Sequence, residues 1–239
     1  MDRLDRVRRH RFRPSEVAIV RQTVIGLYMG MGGIALVLCG LVYAAGTNDE
    51  TEPGRMLYER HCAACHGAKG QGRVQGNATS LNNPDFLALA SDAFLYTTIA
   101  QGRRGTAMRG WSQAAGGPLS DAEIRALIAF LRDWRQEVSA PHVPPGERGD
   151  PSRGRQLYET ACANCHGWEG RGDLGMGPAV TNPDFLAAAD DAFLWATIAY
   201  GRRGTPMFPS LRGLGGVRQL HAQEIYDLVA YLRSSHSRP

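Results

Sequence analysis

The chain lacks any run of alternating apolar and polar residues long enough for a half-buried strand, so nothing in the pattern supports a sheet-based fold. Most of it also lacks an excess of positive charge. The formal net charge is +4, and residues 1–21, with seven Arg against Asp2, Asp5 and Glu16, account for all of it. The remainder is balanced, which leaves a nucleic-acid partner without an electrostatic reason to bind. The sparse hydrophobicity and high charge of a disordered chain are missing as well. At 43% hydrophobic and 21% charged residues, the composition is that of a folded protein.

One segment lacks charge altogether. Residues 22–46 are 25 uncharged residues that include Val24, Ile25, Leu27, Ile34, Leu36, Val37, Leu38, Leu41 and Val42. At about 1.5 Å per residue, a helix of this length crosses a hydrocarbon core of roughly 30 Å. Arg3, Arg6, Arg8, Arg9, Arg11 and Arg13 precede it and Asp49, Glu50 and Glu52 follow it. The positive-inside rule then predicts a cytoplasmic segment 1–21, a single transmembrane helix 22–46 and export of everything beyond. A cleaved signal peptide is the alternative, with Val42-Tyr43-Ala44 as a small-residue cleavage site, although the apolar run exceeds a usual signal core. Lipidation at Cys39 is disfavoured by the bulky Leu38 before it. Gly26 and Gly30 form a G-x-x-x-G pair that permits close approach of a partner helix, although glycine is also common in membrane helices generally.

Past residue 53 the chain repeats itself. Gly54-Arg55-Met56-Leu57-Tyr58-Glu59 returns as Gly154-Arg155-Gln156-Leu157-Tyr158-Glu159, shifted by 100, and Asn83-Pro84-Asp85-Phe86-Leu87 returns as Asn182-Pro183-Asp184-Phe185-Leu186, shifted by 99. The segment 139–150, which holds Pro141, Pro144, Pro145, Gly146 and Gly149, continues neither helix nor central strand and reads as a linker. Two domains are expected, 54–138 and 151–239. Each closes on an apolar pattern of helical period: Ile124, Leu127, Ile128 and Leu131, then Ile225, Leu228, Val229 and Leu232. Ser120 and Glu123 form a capping box for the first, whereas His221 stands where the second needs a hydroxyl. A shorter helix is predicted from near Asp92 and Asp191 to Gly102 and Gly201. The expected class is all-α.

Each repeat carries Cys-x-x-Cys-His: Cys62, Cys65 and His66, then Cys162, Cys165 and His166. Two thiols at this spacing can add to the two vinyl groups of a haem while the following imidazole binds its iron, so two covalently attached haem c groups are predicted. A zinc site or a thioredoxin-like pair would also use Cys-x-x-Cys. The former needs no downstream methionine, and the latter expects a βαβ context that the helical pattern denies. Met108 and Met207 stand at matching positions after Gly-Arg-Arg-Gly-Thr while their neighbours differ, which makes them candidate sixth ligands. Filling a core gap is the plainer role for methionine. Met176 competes for the second haem, with Gly76 at its counterpart. Arg103, Arg104, Arg202 and Arg203 are candidates to pair with haem propionates, or else form a solvated loop face. His61, His142, His221 and His236 read as surface residues.

Taken together, Gly-x-x-Leu-Tyr, Cys-x-x-Cys-His-Gly, a methionine loop and a closing helix make each repeat resemble a small class I cytochrome c. That resemblance implies that the first helix, near Gly54 or Gly154, crosses the last near Phe130 or Tyr231. It implies that a backbone carbonyl in Gly177-Pro178 orients His166. The first repeat has Asn77-Ala78 at that place, a departure that bears on His66. If both irons are held by His and Met, no position is open to a substrate, and one-electron exchange is the chemistry left. The whole then resembles the dihaem subunits of respiratory or photosynthetic membrane complexes, with haem domains on the periplasmic face of a bacterial inner membrane. The implied partners are a quinol-oxidising complex, a terminal oxidase or a soluble cytochrome. A free-standing anchored carrier is a rival reading. A dihaem peroxidase is another, opposed by the paired methionines.

Overall fold

The computed structural model describes residues 51–72, 76–135, 138, 141–146, 148–213 and 218–236. The basic segment 1–21 and the apolar run 22–46, with Gly26, Gly30 and Cys39, lie outside the described residues. Among those described, no helix is long and apolar enough to cross a membrane. All regular structure there is helical, accompanied by three isolated bridges. Residues 49–239 form one compact unit.

In the first repeat the elements are α1 (Glu52–His61), α2 (Ala63–His66), α3 (Pro84–Leu89), α4 (Asp92–Gln101) and α5 (Asp121–Asp133). The second repeat supplies α6 (Pro151–Ala161), α7 (Ala163–His166), α8 (Pro183–Ala188), α9 (Asp191–Tyr200) and α10 (Ala222–His236). Local chemistry sets the ends. Asn83 and Asn182 cap α3 and α8, each followed by a proline whose missing N–H costs nothing in a first turn. Gly102 (φ 74°) and Gly201 (φ 66°) end α4 and α9 in a backbone region that side chains other than glycine rarely adopt. The capping box of α5 is complete. At α10, half of it survives, because the Glu224 carboxylate accepts the His221 backbone N–H at 2.8 Å.

Packing follows from the apolar spacing. Ile124, Leu127, Ile128 and Leu131 on α5 and Ile225, Leu228, Val229 and Leu232 on α10 are all buried, and each such side chain stabilises the fold by roughly 1.5–3 kcal/mol. The helix α1 packs on α5, and α6 on α10. The crossings are so close that a Cβ added at Gly54 would lie 2.2 Å from the Ala126 carbonyl oxygen and 2.7 Å from Phe130 Cβ. At Gly154 it would lie 1.9 Å from the Asp227 oxygen and 2.8 Å from Tyr231 Cβ. Both contacts fall where the resemblance implied.

Two arginines that the pattern did not single out lock the short helices to the closing ones. Arg132 donates to the carbonyls of Leu87 (2.8 Å) and Ala90 (2.6 Å) and to Asp92. Arg233 does the same for Leu186, Ala189 and Asp191. Each guanidinium thus satisfies carbonyls at the end of α3 or α8 that have no helical partner.

The repeats meet through reciprocal contacts. The helix α3 packs on α9, and α4 on α8. At the centre, Phe94 and Phe193 stack at 4.8 Å, with Phe86 and Phe185 edge-on around them. At the rim, Asp184 accepts the backbone N–H (2.6 Å) and guanidinium of Arg104, and Asp85 accepts the same groups of Arg203. Asn83 donates to the Arg203 carbonyl at 2.8 Å and Asn182 to the Arg104 carbonyl at 2.9 Å. Residues 141–146 lie along the second repeat: Tyr200 donates to the His142 carbonyl, and Tyr226 to that of Pro144.

Candidate functional site

Both Cys-x-x-Cys-His segments are built by the same backbone. The N–H of Cys62 is bound by Tyr58 O and that of Cys162 by Tyr158 O, at 2.9 Å in each case. His66 and His166 then close one helical turn on Cys62 O and Cys162 O. This turn sets both thiols and the imidazole on a single stretch of chain. The buried Tyr58 and Tyr158 pin its far end by donating to the carbonyls of Gly67 (2.6 Å) and Gly167 (3.0 Å).

Burial pushes the Cys62 and Cys162 thiols up to about 12, with the neighbouring Cys65 and Cys165 adding to the effect. A redox-active dithiol needs a depressed nucleophile, so this environment runs against thioredoxin-like chemistry. The imidazoles of His66 and His166 are held below their ordinary value, chiefly by burial, against the opposing pull of a backbone hydrogen bond. A neutral ring keeps a lone pair for a metal.

The orienting hydrogen bonds place the one-residue deletion. His166 Nδ1 lies 3.0 Å from Pro178 O, as the resemblance implied, and His66 Nδ1 lies 2.8 Å from Thr79 O. Because a carbonyl only accepts, the proton sits on Nδ1 in both rings. The counterpart of Gly177-Pro178 is therefore Ala78-Thr79 rather than Asn77-Ala78. The bond to His66 is kept, and Met176 faces Asn77 in register rather than Gly76.

The methionine loops also match. Arg103 N donates to Met108 O (2.6 Å) and Arg202 N to Met207 O (2.8 Å). Thr106 and Thr205 bridge each loop, donating to the preceding arginine carbonyl and accepting the methionine N–H. Met207 shares a mostly apolar cavity of about 650 Å³ with Cys162, Cys165 and His166, and Met176 also reaches it.

The paired arginines separate by position. Arg104 and Arg203 bind aspartates of the other repeat. Arg103 and Arg202 turn inward and both line the cavity. Arg103 lies 4.9 Å over the ring of Phe185, and Arg202 lies 5.1 Å over that of Phe86. Burial brings both down to about 10, so both remain cationic near neutrality. Their Nε atoms are buried with no hydrogen-bond partner, as are the hydroxyls of Thr98 and Thr197.

Residues 151–236 match the family described as Cytochrome c, and residues 49–131 match Cytochrome C oxidase, cbb3-type, subunit III. The chain contains two tandem cytochrome c domains. It is 30% identical over 155 residues to the cbb3-type cytochrome c oxidase subunit FixP of Azorhizobium caulinodans, covering 63% of this chain and 50% of that one. It is 29% identical over 215 residues to the cytochrome bc1 complex cytochrome c subunit of Mycobacterium tuberculosis, covering 84% and 71%. With the cbb3-type subunit CcoP of Rhodobacter capsulatus it shares 28% over 182 residues, covering 76% and 61%. The chain thus spans about half the length of the first of these relatives.

Two cytochrome c domains with these Cys-x-x-Cys-His segments carry two covalently bound haem c groups. The residues around the second segment fit such a group. The cavity wall is mostly apolar, as a porphyrin face requires, and the unsatisfied Nε atoms of Arg103 and Arg202 call for anionic partners such as propionates.

Proposed function

We propose that this chain relays single electrons through two His/Met haem centres as a membrane-anchored subunit of a respiratory complex. The observation that carries this reading is the identical construction of both sites: a Cys-x-x-Cys-His turn, a histidine held through Nδ1, and a methionine loop closed by the same three hydrogen bonds. In this reading Cys62, Cys65, Cys162 and Cys165 would attach the haems, and His66 with Met108 and His166 with Met207 would hold the two irons. Haem iron supplies a one-electron couple, and a thioether ligand favours its reduced state.

The protein's own contribution is to hold these groups still. Thr79 O and Pro178 O fix the imidazole planes and keep the proton on Nδ1, which leaves Nε2 free for iron. Arg103 and Arg202 would neutralise propionates, and the phenylalanine cluster keeps water from the space between the repeats. Met207 is favoured over Met176 because Met176 directly precedes Gly177, whose position abuts the His166 ring. A Cβ there would lie 3.0 Å from Nδ1, so Met176 belongs to the imidazole side. Were Met108 and Met207 to hold the irons, no position would remain for peroxide, which weighs against the peroxidase reading.

Membership of a complex is supported by the relatives' names, which assign them to cbb3-type oxidases and a bc1 complex. For this chain we infer redox partners of that kind, with 22–46 as the anchor, the N-terminus cytoplasmic, the haem domains periplasmic, and the Gly26/Gly30 face against another membrane helix. Pyridine haemochrome analysis of purified protein is expected to count two haems per chain. Met207→Ala should abolish the near-infrared sulfur-to-iron band of one haem and lower its potential. If that band survives Met207→Ala but is lost in Met176→Ala, the assignment moves to Met176. Purification in mild detergent should retain partner subunits, whereas a lone haem protein would favour the free-standing carrier.

A further inference from the structure

Asn77 breaks the likeness between the repeats, and its side chain leaves its own repeat. Its Nδ2 donates to the carbonyls of Asp173 (2.6 Å) and Gly177 (2.8 Å), and its Oδ1 accepts the N–H of Gly175 at 2.8 Å. The second repeat's 173–177 segment is a tight turn closed by Asp173 N to Gly177 O (3.0 Å) and Gly177 N to Asp173 O (3.1 Å). Asn77 therefore binds that turn through three backbone groups at once.

Both ends of this connection reach a proximal histidine. Gly177 abuts the His166 ring, and the next residue supplies the carbonyl that takes the His166 Nδ1 proton. On the other side, Asn77 is two residues from Thr79, whose carbonyl takes the His66 Nδ1 proton. The residue in register with Asn77 is Met176, which has no amide to return the contact. One side chain of the first repeat thus serves both loops.

We propose that Asn77 is a positioning residue for both iron-bound imidazoles, fixing the carbonyls at Thr79 and Pro178 relative to one another and so setting the two haem potentials together. The proposal rests on the ligand assignment for His66 and His166 above. A firm hydrogen bond from Nδ1 makes the imidazole a more basic ligand and favours oxidised iron. Loosening either carbonyl weakens that bond and raises the potential.

The test is a redox titration of full-length, haem-loaded Asn77→Ala and Asn77→Asp protein, with Arg104→Lys as a control that keeps its charge but loses the paired contact with Asp184. Asn77→Ala is expected to keep two haems per chain and its near-infrared band. Both reduction equilibria should shift toward the reduced form about threefold, or roughly 28 mV at 59 mV per tenfold for one electron. Asn77→Asp, which sets carboxylate oxygens against two carbonyls, should shift them at least as far. Arg104→Lys should leave both potentials in place. Unchanged potentials in Asn77→Ala, even with a lower melting temperature, would reduce Asn77 to a structural clip and overturn the proposal. An equal shift in Arg104→Lys would overturn it too, by showing that any loosening between the repeats suffices. Absence of the near-infrared band from the unsubstituted protein would instead overturn the methionine assignment, with the potentials still reporting on Asn77.

Discussion

Replacing Gly154 with alanine puts a methyl group where α6 and α10 leave no room. The nearest atom, the Asp227 carbonyl oxygen, would be 1.9 Å away where ordinary contact begins near 3.4 Å. The obstacle is helix backbone rather than the far end of a flexible side chain, so relief requires the two helices to part, on the order of 1 Å in a close-packed interior. Overpacking of this kind costs about 1–3 kcal/mol, and a rigid obstacle belongs at the upper end. Alanine's better helix propensity returns about 1 kcal/mol, leaving roughly 2 kcal/mol of net destabilisation. For a compact unit of this size that lowers Tm by about 4–8 °C. Thermal unfolding of the haem-loaded protein, followed by circular dichroism and by the near-infrared band, reads the change directly. A Tm that stays in place or rises would refute the close crossing, because the helix preference would then be acting without a clash to oppose it.

The capping box of α5 makes stability depend on pH in a definite direction. Ser120 donates its backbone N–H (2.8 Å) and hydroxyl (2.7 Å) to Glu123, which holds that carboxyl below its ordinary value of 4.5. The contribution is therefore present above that value and lost as pH falls through the lowered one. Glu123→Gln should be less stable than the parent near neutrality, with the gap in Tm closing under acid, and a gap independent of pH would refute this. Between the repeats, a double-mutant cycle on Arg104→Ala and Asp184→Asn should give a small favourable coupling that weakens with salt, since the arginine side chain is 80% exposed. Zero coupling at low salt would show that the aspartate acts only on backbone.

What the sequence made legible was periodic or repeated. The helical spacing on α5 and α10 and the glycines ending α4 and α9 could be read because local chemistry determines them, whereas the close crossings at Gly54 and Gly154 came only from the family resemblance. The proximal loops were harder. Between His166 and Asn182 the chain is rich in glycine and has no period, so nothing in it located the single missing residue, and Thr79 emerged only from its bond to His66. Arg-Arg pairs posed a similar problem. Adjacent loop residues point in different directions, and the residue that fixes Arg104 lies 80 positions away at Asp184. Nothing in the pattern pointed to Phe86, Phe94, Phe185 and Phe193 closing against one another across the two repeats. Contacts between distant segments leave no spacing to recognise.

The reciprocity of Arg104 with Asp184 and Arg203 with Asp85 is the arrangement by which two identical chains form a closed pair: residue i meets j, and j meets i. This molecule is thus organised as a homodimer whose halves share one polypeptide. A homodimer must change both halves together, whereas a fused one can alter either alone. The second half has a methionine where the first has an amide, so a single side chain ties both halves at their join, an asymmetry that two identical chains could not hold.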